Sequence, residues 1–85
     1  MIRCEWDEAK RTSNLRRHKI DFADLLEVFE NETATEVDER YDYGEVRFLT
    51  LGLCLGEVIA IAHTETTEDD INIIRIISAR KAEKY

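Results

Sequence analysis

Proline is absent from this sequence, and glycine occurs only three times in 85 residues. A composition this poor in both rules out collagen-like repeats and flexible linkers, and no low-complexity segment or internal repeat is visible. No apolar run reaches membrane-spanning length. The N-terminus reads as a charged strand and not as a signal peptide, so no membrane partner and a cytoplasmic location are expected. Cysteine is scarce, with Cys4 and Cys54 in strand-like apolar surroundings. Two such residues in a cytosolic chain read as free buried thiols. Together with His18 and His63 they lack zinc-ligand spacing, and no metal or cofactor is expected.

Positive charge is also in short supply: 12 Lys and Arg stand against 19 Asp and Glu, a net charge of −7. That balance argues against generic nucleic-acid affinity. Its distribution is uneven. Residues 10–19 hold Lys10, Arg11, Arg16, Arg17 and Lys19 with no acid, whereas residues 21–45 hold ten acids and one base, Arg40. The end turns basic again with Arg75, Arg80, Lys81 and Lys84. An acidic chain can therefore carry one basic face. The length allows a single domain, 1–85, whose core contributes about 3–5 kcal/mol of net stability.

The strongest pattern is near the C-terminus. Residues 71–77 contain five isoleucines at both odd and even positions, which predicts a strand covered on both faces and interior to a sheet. Arg75 interrupts it. A guanidinium there needs a carboxylate, a solvent-filled groove or an anionic ligand.

Taken in order, residues 2–6 alternate apolar and charged as a half-buried strand. Asp7 then caps a helix expected to run to His18, with Lys10, Asn14, Arg17 and His18 on one face. Asp21 caps a second helix, expected over 21–30. Its Phe22, Leu25, Leu26 and Phe29 recur at helical spacing, with Val28 beside them. Residues 33–37 read as an edge strand and 38–44 as a polar turn. Residues 45–53 form a strand, Gly52 to Gly56 a hairpin turn and 57–64 the next strand. Residues 64–70 are expected as an acidic loop before the isoleucine strand. The order β-α-α-β-β-β-β predicts an α+β domain, two N-terminal helices packed on one face of an antiparallel sheet.

Four groups of residues along this chain resemble a known family. Trp6-Asp7-x-x-Lys10-x-x-x-Asn14-x-x-x-His18 with Asp21-Phe22 is similar to the opening of the BrnT-type toxins of bacterial type II toxin–antitoxin pairs. Arg40-Tyr41-Asp42-Tyr43-Gly44-Glu45-x-Arg47 is similar to their mid-chain motif, and His63-Thr64 to the third. Arg75-Ile76-Ile77-Ser78-Ala79-Arg80-x-Ala82 is similar to the closing one. The resemblance implies a RelE-like ribonuclease fold and a small metal-independent ribonuclease that inhibits translation. It also implies a BrnA-like antitoxin with a ribbon-helix-helix part, through which alone operator DNA is bound. There are departures. Relatives often carry an arginine where this chain has Thr66, the segment 66–70 is longer and more acidic than in relatives, and relatives continue as a helix beyond the closing motif.

In such cleavage the RNA's own 2′-hydroxyl attacks the adjacent phosphorus. The protein moves two protons and stabilises charge on the phosphoryl oxygens. Arginine's planar fork matches phosphate, which makes Arg47, Arg75 and Arg80 the candidates. His63 suits acid–base work, and equally suits a packed strand position hydrogen-bonded to a neighbour. The candidate RNA-binding residues are Lys10, His18, Arg40, Tyr41 and Lys81, with Tyr43 and Trp6 as further surfaces on which bases could stack. The alternative is a catalytically weak homologue that acts mainly as the antitoxin's partner in an autorepressor complex.

Overall fold

The computed structural model describes residues 1–40 and 42–83. Strand β1 (Ile2–Trp6) leads into helix α1 (Glu8–His18), followed by a 3-10 turn (Phe22–Asp24) and a single-turn helix α2 (Leu26–Phe29). Four strands complete the chain: β2 (Ala34–Val37), β3 (Phe48–Cys54), β4 (Glu57–Glu68) and β5 (Ile71–Lys81). They form one five-stranded sheet in the order β1-β5-β4-β3-β2. The isoleucine strand β5 thus lies between β1 and β4, in keeping with its two-sided apolar pattern.

Two parts of the expected architecture are corrected. The sheet is mixed: β1 runs parallel to β5, with Ile2 opposite Asn72 and Trp6 opposite Ile76. Alternation within 2–6 marks a half-buried strand but carries no information about direction. The second helix is not a regular one over 21–30. Phe22, Leu25 and Val28 are its buried residues, spaced three apart, and Leu26 stays exposed. A repeat of three is the 3-10 period, and it matches the turn found over Phe22–Asp24. The caps are as expected. Asp7 accepts from the Ala9 and Lys10 N–H groups, and Asp21 from that of Ala23. Arg11 ties α1 to the second cap with hydrogen bonds of 2.7 and 3.0 Å to the Asp21 carboxylate, which hold that carboxyl down to about 2.

The expected acidic loop is mostly strand as well. Thr64, Thr66 and Thr67 favour extended backbone, and β4 continues to Glu68 before a tight turn at Asp69 and Asp70, both at positive φ. The other hairpin closes on Leu55 and Gly56, at φ 51° and 81°. Gly52 lies inside β3 instead, where a Cβ would come within 2.5 Å of Val28 Cγ1; glycine lets α2 approach the sheet this closely.

All helical elements pack on one face of the sheet. The core joins Phe22, Leu25 and Val28 to Ile59, Ile61, Ile74, Ile76 and Ala79, with Trp6 meeting Phe22 edge-on at 6.3 Å. No helix among the described residues covers the opposite face. Leu49, Leu51, Ala60, Ala62 and Thr64 point to it by alternation from the buried Thr50, Ile61 and His63.

Candidate active site

Arg75 and Arg80 are five residues apart, so a regular strand would send them to opposite faces. The pairing of β4 with β5 shifts register at Ala62/His63: Ala62 faces Ser78 and His63 faces Ile76, which leaves Ile77 as a bulge. Below the bulge Arg75 stands beside Thr64, and above it Arg80 stands beside Ala60. Thr64 and Ala60 share a face, so both arginines project from the open side of the sheet. Along β4 the two positions are separated by about 13 Å at the usual strand rise.

Glu5 continues the Arg75 row, directly opposite it on β1, and its carboxylate is 2.9 Å from the Arg75 guanidinium. Arg47 immediately precedes Phe48, the partner of His63, just before β3 begins. Its guanidinium carbon is 4.0 Å from the centre of the Tyr43 ring, and its Nε is 3.1 Å from Glu45. Tyr43 in turn donates to Asp38, which also receives both prongs of the Arg40 fork at 2.9 Å. Those bonds, led by Arg40, hold the Asp38 carboxyl well below the usual carboxylate range. Asp38 thus gathers Arg40 and Tyr43, and the Tyr43 ring in turn packs against Arg47. Arg40 is engaged there, and Tyr41 lies outside the described residues.

Arg80 carries the third ion pair, 3.3 Å from Glu83. Pairs at such exposed positions are worth about 0–1 kcal/mol, little enough for a phosphate to displace the carboxylate. Thr66 is the next outward position beyond Thr64, paired with Ile73.

His63 is placed elsewhere. Its side chain is fully buried on the helix-covered face, against Phe29 at 5.0 Å and Phe48 at 5.8 Å. Nε2 is 2.6 Å from the Thr50 hydroxyl, which is 2.7 Å from that of Thr35. Nδ1 is buried without a hydrogen-bond partner, 3.8 Å from Glu65. Burial lowers the imidazole pKa from its ordinary value and so favours the neutral ring. No substrate reaches His63 in this conformation.

The remaining predicted residues lie along one side of α1. Lys10 and His18 line a groove with Ser13, Asn14, Arg17, Ile77 and Ser78. Lys81 stands at the end of β5, 3.2 Å from Glu57, in a second groove with Arg17, His18, Lys19 and Arg80. One member of these arrangements escaped sequence reasoning. Glu5 becomes visible only with the parallel pairing of β1, whereas Arg17 was already placed with Lys10 and His18 by helical periodicity. Among the described residues, no group of three or more His, Cys, Asp or Glu converges as a metal site.

The small α+β domain thus presents Arg75 and Arg80 on the sheet face that no described helix covers, with Arg47 just before β3. The chain belongs to the family of ribonuclease toxins, BrnT, of type II toxin–antitoxin systems, whose model matches residues 6–85. No curated protein matches the chain. Membership in that family implies an RNA target and an antitoxin partner. No helix among the described residues is long and apolar enough to cross a membrane.

Proposed function

We propose that this chain cleaves RNA without a metal, using the substrate's own 2′-hydroxyl, and thereby inhibits translation in the cytoplasm. A BrnA-like ribbon-helix-helix antitoxin neutralises it and links the pair to operator DNA. The observation that carries the reading is the β5 bulge, which brings Arg75 and Arg80 to the same open face of the sheet. The 2′-oxygen attacks phosphorus and gives its proton to a carboxylate, the bond to the 5′-oxygen breaks, and that oxygen takes up a proton from solvent water. The extra negative charge on the phosphoryl oxygens is met by the guanidiniums. With His63 beneath the sheet, the proton acceptor we assign is Glu5, already on the Arg75 row.

Purified protein incubated with single-stranded RNA in EDTA should yield 2′,3′-cyclic phosphate and 5′-hydroxyl ends. A 2′-O-methyl group at the scissile position should block the cut. Products with 3′-hydroxyl ends, or activity that EDTA removes, would show a different reaction.

One observation favours a second reading. Arg47, Arg75 and Arg80 each have a carboxylate within 3.3 Å, and the one histidine of the third motif is buried. On that basis the chain is a catalytically weak homologue that serves as the antitoxin's partner in an autorepressor complex. Operator repression that needs this chain, with RNA left intact in the same cells, would establish it.

A further inference from the structure

Strand β1 is much shorter than its neighbour. Its pairing ends where Trp6 meets Ile76, yet β5 runs on to Lys81. Helix α1 lies against the strand edge left open, and the buried Asn14 accepts from the Ala79 N–H at 3.0 Å. The helix and the strand end therefore enclose a seam. Lys10, Arg17 and His18 line it from the helix, with Lys19 just past the helix end. Ile77, Ser78, Arg80 and Lys81 line it from the strand. The one acid among these lining residues is Glu83. In a chain of net charge −7, five of the 12 Lys and Arg side chains converge here. The floor is the bulge residue Ile77 with Ser78, so the feature that turns Arg80 toward the open face also shapes this groove. Arg80 belongs to both places. It lines the seam, and it lines the open-face groove with Leu49, Leu51 and Ala60.

We propose that the seam between α1 and the end of β5 is a track for the phosphodiester backbone of single-stranded RNA, which delivers the strand to Arg80 at the margin of the open face. This rests on RNA being the substrate, as proposed above. A row of cations along two adjoining grooves that share Arg17 and His18 recognises repeated phosphates and not a base sequence. Binding through it is strongly salt-dependent and tolerant of sequence.

The test uses a fluorescent 2′-O-methyl oligoribonucleotide, which has no attacking hydroxyl, and follows its affinity by anisotropy across a salt series. Arg17→Gln should lower the slope of log affinity against log salt by about 0.7, and Lys10→Gln with Arg17→Gln by about 1.4. Arg16→Gln is the control. It removes the same charge from the adjacent residue, roughly 100° round the helix, and should leave the slope unchanged. Both positions are exposed, and melting curves check that each variant folds.

Equal slopes for the parent and the Arg17→Gln variant would overturn the proposal. So would an equal loss in the Arg16→Gln control, which would reduce the seam to general charge. A double variant that binds RNA normally but loses affinity for the antitoxin would assign the seam to the antitoxin instead. If the parent binds the oligonucleotide through the seam yet cleaves no RNA, the track stands and the proposed reaction falls.

Discussion

Asn14 and Ala79 are joined by a hydrogen bond from the Ala79 N–H to the Asn14 side-chain oxygen, 3.0 Å long and buried. The same amide donates to the Ile20 carbonyl at 3.0 Å. One side chain thus closes the strand edge that β1 leaves open and fixes the chain where it leaves α1.

Replacing Asn14 with alanine strands a buried N–H and a carbonyl together, each costing about 1–3 kcal/mol. Asn14→Ala should unfold at clearly lower urea concentration than the parent. Asn14→Asp keeps the acceptor for Ala79 but not the donor for Ile20, and should fall between the two. Equal midpoints for all three would show that the bond contributes nothing.

His63 makes the fold sensitive to mild acid. The folded chain favours the neutral ring because burial depresses its pKa below 6.5, whereas the unfolded chain takes up a proton near that value. The stabilisation is complete above about pH 6.5 and declines as the pH falls from there toward the folded pKa. Tm should drop between about pH 7.5 and pH 5, and His63→Gln should flatten this part of the profile whatever its effect on Tm itself. Tm values for parent and variant that fall in parallel would assign the acid sensitivity to other groups.

Leu55 occupies the left-handed region at φ 51° with its side chain exposed, in a two-residue turn with Gly56. Asn-Gly suits that turn better than Leu-Gly, and the strain at stake is about 1 kcal/mol. Leu55→Asn should raise Tm by a few degrees. A lower Tm would mean that Leu55 makes contacts worth more than the strain.

Arg80→Ala should melt close to the parent, because its Glu83 pair is exposed and surface changes usually shift stability by about 0.5 kcal/mol. RNA cleavage should fall on the order of 100-fold, as for removal of one charge-stabilising donor. Arg80→Lys should rescue poorly, since a point charge does not replace a bidentate fork. An Arg80→Ala variant that unfolds would make this arginine a part of the fold, and one that cleaves normally would shift attention to Arg47 and Arg75.

The sequence made some of this readable and hid the rest for physical reasons. Asp7 and Asp21 as caps depend on neighbours two or three residues away, and both stand where expected. The isoleucine pattern conveyed that β5 is interior. Strand direction was not legible, because alternation in 2–6 is the same read either way. The common facing of Arg75 and Arg80 depends on one bulged residue, Ile77, which nothing in its local composition announces. His63 sits in a matched motif and yet lies in the core. Its fate depends on Phe29, Phe48 and Thr50, which come from two other elements.

The parallel pairing of the first strand with the last has a consequence in time. Ile2 emerges from the ribosome well before its partner, Asn72. Closing a loop that spans most of the chain is slow relative to local contacts. Until β5 has been made, β1 has no neighbour in the sheet and Arg75 and Arg80 do not exist. A nascent chain that stops short of β5 therefore has neither the parallel pair nor the two arginines of the open face.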